Sequence, residues 1–305
     1  MLRKLDLFGQ ECSLEYERSN KFKTNLGTCF SIVVILACFI LSFMFGGEIY
    51  KREYPQVAFS KKFEEEVKLQ VNKIPILLYT GNIVTGLHVE TSKYFDISIY
   101  QIITDLNSNY FYGKSHSYKP CNYSDYDIYQ VLPLPQLEYY CPDLPEDMLI
   151  KNGYLNPDSI SLKIDVFQCN REVRECPDDM EAVIDSLFLG ITHETSAIDT
   201  FNYNNPIKRY TQVDIFLVSS SLSKMTRIFY TKNSFVSNNG WILENNQIEG
   251  YMNINSIQSE VSYVGKNSGA PLLMFTFSTL KLVETIERNY MKVQELFAKI
   301  GGIVN

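Results

Sequence analysis

The sequence has few of the residues on which metal sites and many active sites depend. Its 305 residues include three histidines and one tryptophan. No histidine stands in a His-x-x-x-His or Glu-x-x-His arrangement, and no Cys-x-x-Cys occurs, so the usual zinc-binding patterns are missing. His193-Glu194 has no second histidine at helical spacing, which indicates a satisfied or exposed side chain. We therefore expect no metal ion and no cofactor.

The motifs of common enzyme classes are absent as well. The sequence contains no Gly-x-Ser-x-Gly, no phosphate-binding glycine-rich loop and no dinucleotide fingerprint. Its paired acids fit simpler roles, because Asp178-Asp179 suits the start of a helix and Asp125 with Asp127 suits a solvated loop. We therefore predict a protein with no catalytic residues and no enzymatic activity.

Positive charge is scarce. Lysine and arginine number 28 against 35 aspartates and glutamates, which gives a net charge of -7. A nucleic-acid-binding protein is expected to carry a basic face. This balance predicts that nucleic acid is not a partner.

One long stretch, residues 24–47, has no charged side chain at all. As a helix it would be about 36 Å long, which is enough to cross a hydrocarbon core about 30 Å thick. The alternatives are a cleaved signal peptide and a buried helix of a soluble core. The run is longer than a signal peptide's apolar region and follows 23 mostly polar residues. We predict a transmembrane helix over 24–47, preceded by a cytosolic tail over 1–23.

Cysteine usage predicts which side of the membrane the rest of the chain occupies. Lysines and arginines are balanced on the two sides of the span, so the charge rule does not decide. Four cysteines follow the span, and an even number there indicates two disulfides in a lumen or outside the cell. Spacing favours Cys121 with Cys141 and Cys169 with Cys176, although three pairings are open. Asn122 begins an Asn-x-Ser glycosylation acceptor on the same side.

The segment after the span is predicted to be mostly strands. Its 21 tyrosines and 19 phenylalanines, with many isoleucines and valines, suit a sheet better than helices. Residues 160–166 alternate strictly between apolar and polar side chains, which is the clearest strand signal in the sequence. Further strands are predicted over 67–71, 76–79, 95–103, 210–217, 227–231 and 272–277, with turns at 80–82 and 238–240. We expect a β-sandwich-like domain over 48–279, with one or two helices.

Two helices are indicated by apolar residues at helical spacing. Asp178 and Glu181 fit a capping box before a helix that would run over 180–188. A second periodic stretch covers 282–300. It predicts a C-terminal helix, within a segment 280–305, that leads into a second transmembrane span.

Residues 104–142 are predicted to be a long loop rich in tyrosine. Tyrosine offers contact area at low entropic cost, so these rings could bind a partner. The alternative is that they fill the loop's own small core around a disulfide. The candidate partner-binding residues are Tyr110, Tyr112, Tyr118, Tyr126 and Tyr129.

The motifs near both ends and in the middle resemble those of known two-pass proteins. They lie at residues 5–8, 22–24, 139–142 and 297–303. The layout is similar to that of the cargo receptors of the ER–Golgi intermediate compartment, although their luminal Cys-x-x-Cys is missing. It resembles more closely a large uncharacterised two-pass family of ciliated protists, which also has the Tyr-x-Cys-Pro found at 139–142. That family has no assigned activity.

Together these features predict a non-enzymatic, membrane-anchored and mainly β protein. Its function is expected to be that of an interaction or accessory subunit of a membrane assembly. The alternatives are a cargo receptor of the early secretory pathway and a two-pass channel subunit. Expected partners are the bilayer and other membrane or luminal proteins, including further copies of the chain. The expected location is the endoplasmic reticulum and Golgi, or the plasma or ciliary membrane, with a multi-pass topology.

Overall fold

The structure is a computed structural model of the 305-residue chain. It describes residues 10–16, 19–22, 25–71, 76–105, 110–121, 139–153, 158–265 and 269–304. The strands in chain order are β1 (Gln10–Tyr16), β2 (Ser19–Phe22), β3 (Gln56–Phe63), β4 (Lys68–Gln70), β5 (Leu77–Asn82), β6 (His88–Val89), β7 (Phe95–Asp105), β8 (Tyr110–His116), β9 (Tyr118–Cys121), β10 (Tyr139–Pro142), β11 (Leu149–Lys151), β12 (Ser159–Gln168), β13 (Leu187–Ile198), β14 (Ile207–Leu217), β15 (Leu222–Asn238), β16 (Asn246–Tyr263), β17 (Leu273–Thr279) and β18 (Leu282–Asn289). The helices are α1 (Asn25–Lys51), α2 (Thr91–Tyr94), α3 (Met180–Val183) and α4 (Val293–Val304).

The chain forms two compact units. The first, here called the helix unit, consists of residues 1–58, 237–247 and 287–305. The second, here called the sheet unit, consists of residues 59–236 and 248–286. The sequence predicts different boundaries, with a tail over 1–23, a transmembrane helix over 24–47, a β domain over 48–279 and a final segment over 280–305. These boundaries remain a prediction.

Helix α1 is the main element of the helix unit. Within the described ranges it is the one helix long and apolar enough to cross a membrane, and only 6% of its most hydrophobic 18-residue window is buried. A core helix would bury an apolar face, whereas most apolar side chains of α1 are exposed, and the stripe that is buried includes the polar Thr28 and Ser31 as well as Ile49. The hydroxyls of Ser31 and Ser42 donate hydrogen bonds to the carbonyls of Gly27 and Cys38 one turn earlier. These polar groups are therefore satisfied inside the helix.

Helix α4 lies against the C-terminal part of α1. Leu296 and Ile49 are buried together, and Cys38 and Leu41 of α1 pack on the same cluster. Residue 38 is about three turns before residue 49, so α4 lies along the last three turns of α1.

The helical period predicted from residue 282 was wrong for its first part. Residues Leu282–Asn289 form strand β18, which lies between β3 and β15, and the helix begins only at Val293. Apolar residues at 282, 283 and 286 fit a helix face and a partly buried strand equally well. Hydrogen bonding to two neighbouring strands decides between them, and that pairing cannot be read from local periodicity.

The sheet unit contains two sheets packed face to face. A six-stranded sheet has the order β14-β13-β5-β10-β9, with β6 beside β5. A ten-stranded sheet has the order β3-β18-β15-β17-β12-β11-β4, with β16 beside β15, β7 beside β12, and β8 beside β7. The facing sides meet in one apolar core, where the rings of Phe216 and Phe275 contact edge to face at 4.9 Å between centroids. The prediction of a mainly β, sandwich-like domain is confirmed.

Strand β12, the strand predicted with the clearest pattern, lies in the middle of the larger sheet. It pairs antiparallel with β7 from Ser159 to Gln168 and antiparallel with β17 on its other side. Leu162, Ile164 and Val166 of its apolar face are fully buried, and Asp165 on the opposite face is buried as well. The alternation therefore marks a strand whose polar face is also covered.

The turn predicted at 80–82 lies a few residues later than expected. Thr80 and Gly81 continue β5 because they pair with β13 on one side and with β6 on the other. The chain turns at 83–85, where the side-chain oxygen of Asn82 accepts hydrogen bonds from the N–H groups of Val84 and Thr85.

The helix predicted over 180–188 is much shorter. It consists of α3 and a single 3-10 turn, Ile184–Ser186, and Asp179 at its N-terminus makes no side-chain capping bond. Leu187 and Phe188 instead begin β13, because they pair with Asn82 and Gly81 of β5. Long-range strand pairing overrides the local helical spacing here.

The loop predicted over 104–142 is partly sheet. β8 pairs with β7, and β9 pairs with β10 from Tyr139 opposite Cys121 to Pro142 opposite Tyr118. Residues 122–138 lie outside the described residues. The tyrosine-rich composition hid these strands, since it resembles that of a polar loop.

Candidate partner-binding surface

Strand β14 is an edge strand with apolar side chains on its exposed face. It pairs with β13 along its whole length, and no strand of the described part of the chain lies on its other side. Phe216 points into the core and is 5% exposed. Val213, Ile215 and Leu217 point the other way and are 36%, 58% and 64% exposed. The exposed face of the second half of β14 is therefore apolar, which is unusual for an edge strand in water.

The first half of β14 carries charge instead. Lys208 Nζ lies 2.8 Å from Asp199 Oδ2, and Arg209 Nε lies 3.8 Å from Glu194 Oε1. Lys208 lowers the pKa of Asp199, whereas burial raises the pKa of Glu194 against the partial opposition of Arg209. Charged side chains discourage pairing with another chain. The open part of the edge is thus confined to residues 213–217.

Two glycines let aromatic rings lie flat on the sheet behind this edge. Gly190 lies between Ile215 of β14 and Tyr79 of β5, and a Cβ added to it would overlap Cζ and Cε1 of the Tyr79 ring. A Cβ on Gly81 would be 2.5 Å from Cζ of Phe188. The Tyr79 and Phe188 rings meet edge to face at 6.0 Å between centroids. The apolar edge is therefore continuous with an aromatic layer on the outer face of the six-stranded sheet.

The disulfide between Cys121 and Cys141 belongs to the same outer face. Cys141 is buried with Leu77, Tyr79 and Tyr139, and Cys121 packs on this group. Tyr79 and Tyr139 contact edge to face at 5.7 Å between centroids, and burial raises the pKa of Tyr79. The covalent link joins β9 to β10 and so holds the aromatic layer in place.

The inner face beneath this edge contains a buried histidine. His193 Nε2 is 2.7 Å from Asp214 Oδ2, and Gln212 donates a hydrogen bond to the other carboxylate oxygen at 3.2 Å. The hydrogen bond from His193 lowers the pKa of Asp214. The contact joins β13 to β14 and fixes the edge strand in register. It satisfies one ring nitrogen of His193, whereas the buried Nδ1 has no hydrogen-bond partner among the described residues, so the expectation of a satisfied or exposed side chain is met only in part. Among the described residues, no group of three or more His, Cys, Asp or Glu side chains could hold a metal ion.

The second disulfide, between Cys169 and Cys176, closes a short charged loop in another part of the sheet unit. Asp96 accepts hydrogen bonds from the Asn170 N–H at 2.9 Å and from Arg174 Nε at 2.8 Å. A cavity of about 710 Å³ lies beside this loop. Both carboxylate oxygens of Asp96 are used in holding the loop, so its role is structural.

The tyrosines proposed from the sequence are only partly placed. Tyr110 and Tyr112 lie on β8 opposite Asp105 and Ile103, and their side chains are outside the described residues. Tyr118 packs against the main core, with its ring 5.8 Å from that of Tyr140. Tyr126, Tyr129 and the acceptor Asn122 are outside the described residues. A partner-binding role for these tyrosines therefore stays a prediction.

The apolar edge of β14 was missed as a site by the sequence analysis. Residues 213–217 were identified as a strand, but the alternation of Val213, Ile215 and Leu217 would normally mark a buried face. The signal in the sequence was Phe216, which interrupts the alternation and makes residues 215–217 a continuous apolar run just before the serines at 219–221. Three consecutive residues of a strand cannot all face one core, so part of this run must face another surface.

The fold and this surface define a mainly β sandwich with a long apolar helix near its N-terminus. Residues 68–279 match the model of the family described as the uncharacterised 80 kDa protein N-terminal domain. The match covers more than half of the sequence, so the chain belongs to this family. No curated protein matches the chain in sequence. Membership in a family of ciliated protists remains a prediction.

Two solved structures are similar to the chain. One is the cryo-EM structure of a proton-activated chloride channel, with 11% identity and a TM-score of 0.30 over 90% of this chain and 92% of that chain. The other is the crystal structure of Erv41p, with 9% identity and a TM-score of 0.32 over 75% of this chain and 99% of that chain. At such TM-scores neither likeness carries an argument about function.

Proposed function

We propose that this chain is a non-enzymatic, membrane-anchored interaction subunit whose sheet unit binds a protein partner along β14. Helix α1 provides the anchor, and the sheet unit lies on the oxidising side of the membrane. The observation that carries the proposal is the exposed apolar row Val213, Ile215 and Leu217 on an edge strand.

The chemistry of this surface favours an extended segment of a protein partner. An edge strand can pair through its backbone with an incoming strand, and alternate side chains then give specificity. Covering the row would contribute up to about 2 kcal/mol for each apolar side chain, before the costs of association. The paired charges of Lys208 and Arg209 would limit the partner strand to the second half of β14.

The aromatic layer and the histidine contact make the surface rigid before binding. The disulfide from Cys121 to Cys141 holds one side, and His193 with Asp214 holds the other. A surface that is already ordered loses little conformational entropy on binding. This suits a constitutive subunit interface.

The test is recovery of the partner from native membranes in mild detergent. The variant Ile215→Glu should lower the amount of co-purifying protein more than about tenfold, because it removes about 2 kcal/mol of apolar contact and places a charge in the interface. Val261→Glu is the matched control, since Val261 is also β-branched, lies on the edge strand β16 and is 60% exposed. It should leave recovery unchanged.

Three outcomes would decide the matter. A discrete partner lost only in Ile215→Glu supports the proposal, and a partner with the mass of this chain would identify a second copy. A monomer without any associated protein, or equal recovery from both variants, would contradict it.

A further inference from the structure

A second exposed apolar feature lies in the helix unit, at the tip of the hairpin formed by β15 and β16. Residues 239–245 connect the two strands. Trp241, Ile242 and Leu243 follow one another in this tip and are 50%, 59% and 79% exposed. Three consecutive exposed apolar residues on a natural protein normally serve a function.

The tip is held in one shape by its own polar groups. Asn238 Oδ1 accepts hydrogen bonds from the N–H groups of Gly240 and Asn245, and the Asn239 N–H donates to the carbonyl of Asn245 at 2.9 Å. A Cβ on Gly240 would collide with the carbonyl of Leu243, so the tight turn needs glycine. The backbone of the tip is thus already ordered, so little conformational entropy is lost when the apolar side chains bind.

The tip is attached to the end of α1. Arg52, the first residue after that helix, donates from Nη2 to the carbonyl of Asn239 at 2.9 Å. Its guanidinium lies 5.7 Å from the centroid of the Trp241 ring. Along the axis of α1, the tip therefore lies beside Arg52, just beyond the last turn of the helix.

The tip is also attached to the beginning of α4. The Val293 N–H donates to the carbonyl of Trp241 at 3.0 Å, and Gln294 Nε2 donates to the carbonyl of Ile242 at 2.8 Å. Both helices of the unit hold the loop by its backbone. The backbone contacts leave the apolar side chains on the outside.

The position of Arg52 places this tip in the membrane interface. The uncharged run ends at Gly47, and five further residues advance the helix by about 8 Å. The headgroup region extends roughly 5 to 8 Å beyond the hydrocarbon core on each side. Tryptophan concentrates in this region, and lysine and arginine extend to the headgroups there. The apolar tip and the neighbouring Arg52 match both preferences.

We propose that residues 241–243 form a wedge that inserts into the boundary between lipid headgroups and acyl chains. The partner is the bilayer itself, and the inference rests on the membrane anchoring proposed above. The wedge fixes the tip of the β15–β16 hairpin to the same membrane surface at which α1 ends. It thereby gives the chain a second membrane contact besides its helix.

Trp241 is the single tryptophan of the sequence, so its fluorescence reports the wedge directly. The full chain is reconstituted into phosphatidylcholine vesicles that contain lipid brominated either near the carbonyl or deep in the acyl chain. We expect blue-shifted emission, strong quenching by the shallow bromine, weaker quenching by the deep bromine, and protection from iodide in the water. Quenching by iodide with no effect of either bromolipid would overturn the proposal.

Two variants serve as controls. Ile242→Ser with Leu243→Ser keeps the fluorophore but removes its apolar neighbours, so the blue shift and the bromolipid quenching should decrease. Trp241→Phe with Val261→Trp moves the fluorophore to an exposed position of β16 in the sheet unit, where we expect iodide to quench it and bromolipid to have less effect than at residue 241. Equal bromolipid quenching at both positions would contradict a wedge at the tip.

A contact between two copies of the chain at this tip would give a different result. Protection from iodide that disappears when the protein is diluted in lipid would indicate such a contact and overturn the wedge. Extraction with alkaline carbonate distinguishes the wedge from the anchor. A chain that stays in the membrane while Trp241 remains exposed to water would refute the wedge and leave the anchor intact.

Discussion

At the scale of single residues, the absence of a side chain at Gly190 shapes the outer face of the six-stranded sheet. The Tyr79 ring lies over its Cα, and the ring contacts with Phe188 and Tyr139 follow from that position. A residue without a side chain thus determines how the aromatic layer packs.

Replacing Gly190 with alanine should therefore destabilise the sheet unit. The new methyl group must displace the Tyr79 ring, and overpacking of this kind costs about 1 to 3 kcal/mol. Thermal unfolding of the detergent-solubilised chain measures the loss. Gly113→Ala in β8 is the matched control, because nothing lies within 4 Å of a Cβ there. Equal melting temperatures for the two variants would contradict this account of the layer.

A buried carboxylate gives a prediction about pH. Burial raises the pKa of Asp165 above its ordinary value of 3.8, although Lys163 Nζ at 2.8 Å lowers it in part. At a pH between the pKa values of the unfolded and the folded state, Asp165 is protonated more often in the native protein than in the unfolded chain. The free energy of unfolding therefore decreases as pH rises through this range. Asp165→Asn should be more stable than the wild type at neutral pH. The difference should vanish as pH falls to 3.8, as measured by unfolding at a series of pH values.

Asp199 is a control because its pKa is shifted in the opposite direction to that of Asp165. Its pKa is lowered by Lys208, so its contribution to stability is present above 3.8 and is lost as pH falls below that value. Asp199→Asn should be slightly less stable than the wild type at neutral pH and equal to it in acid. The same direction of change in both variants would show that burial does not govern Asp165.

At the scale of elements, the two disulfides differ in the length of chain that they close. Cys121 and Cys141 are 20 residues apart, whereas Cys169 and Cys176 are 7 apart. In the chain-entropy model these links stabilise the fold by about 3 and about 2 kcal/mol. The larger one also supports the aromatic layer, so it is expected to matter more.

Replacing each pair of cysteines with serine tests this difference. The melting temperature should decrease more in the variant Cys121→Ser with Cys141→Ser than in the variant Cys169→Ser with Cys176→Ser. Asp96, which holds the short loop through Asn170 and Arg174, should keep that loop in place without its disulfide. A larger loss from the short loop would contradict the ranking. Reduction of the unmodified chain should also shift its mobility in a non-reducing gel.

The elements also show how far the sequence could predict the structure. The long apolar run of α1 is a matter of composition, and the alternation of β12 is local, so both elements could be predicted directly from the sequence. Leu187 and the stretch 282–289 were assigned to helices because their apolar spacing suits two structures. Only the partner strands, distant in sequence, decide between them. Alternation in β14 shows which residues share a face, but not which face the other sheet will cover.

At the scale of the whole molecule, the predictions about membrane anchoring and orientation depend on the apolar helix α1. The apolar side chains of the 24–47 run contribute about 5 kcal/mol to insertion, and one arginine at the centre of a span costs roughly 2.5 to 3.5. The double variant Ile35→Arg with Leu36→Arg should therefore cancel insertion. We expect alkaline carbonate to release it from membranes and to leave the wild type in the pellet.

An apolar exchange at the same positions, Ile35→Leu with Leu36→Ile, is the control and should stay in the pellet. Release of the wild type by carbonate would contradict the anchor. Release of both double variants would point to a folding defect.

Orientation can be tested in microsomes with an N-terminal tag. Two disulfides in the sheet unit agree with an oxidising compartment, so Asn122 should be glycosylated and the tag should face the cytosol. Asn122→Gln should abolish the change in mobility caused by endoglycosidase, and added protease should remove the tag. A protected tag with an unmodified Asn122 would reverse the orientation.

Strands β3 and β18, which connect to the two helices, are neighbours in the larger sheet. Lys61 faces Glu284, and the Glu64 N–H donates to the carbonyl of Lys281, so the two strands run antiparallel. Tension that pulls α1 and α4 apart would therefore act on β3 and β18 at the same end of the pair. Their hydrogen bonds would break one after another from that end. Separation of the two helices would thus load the pairing of β3 with β18 one hydrogen bond at a time, starting at the ends of the strands next to the helices.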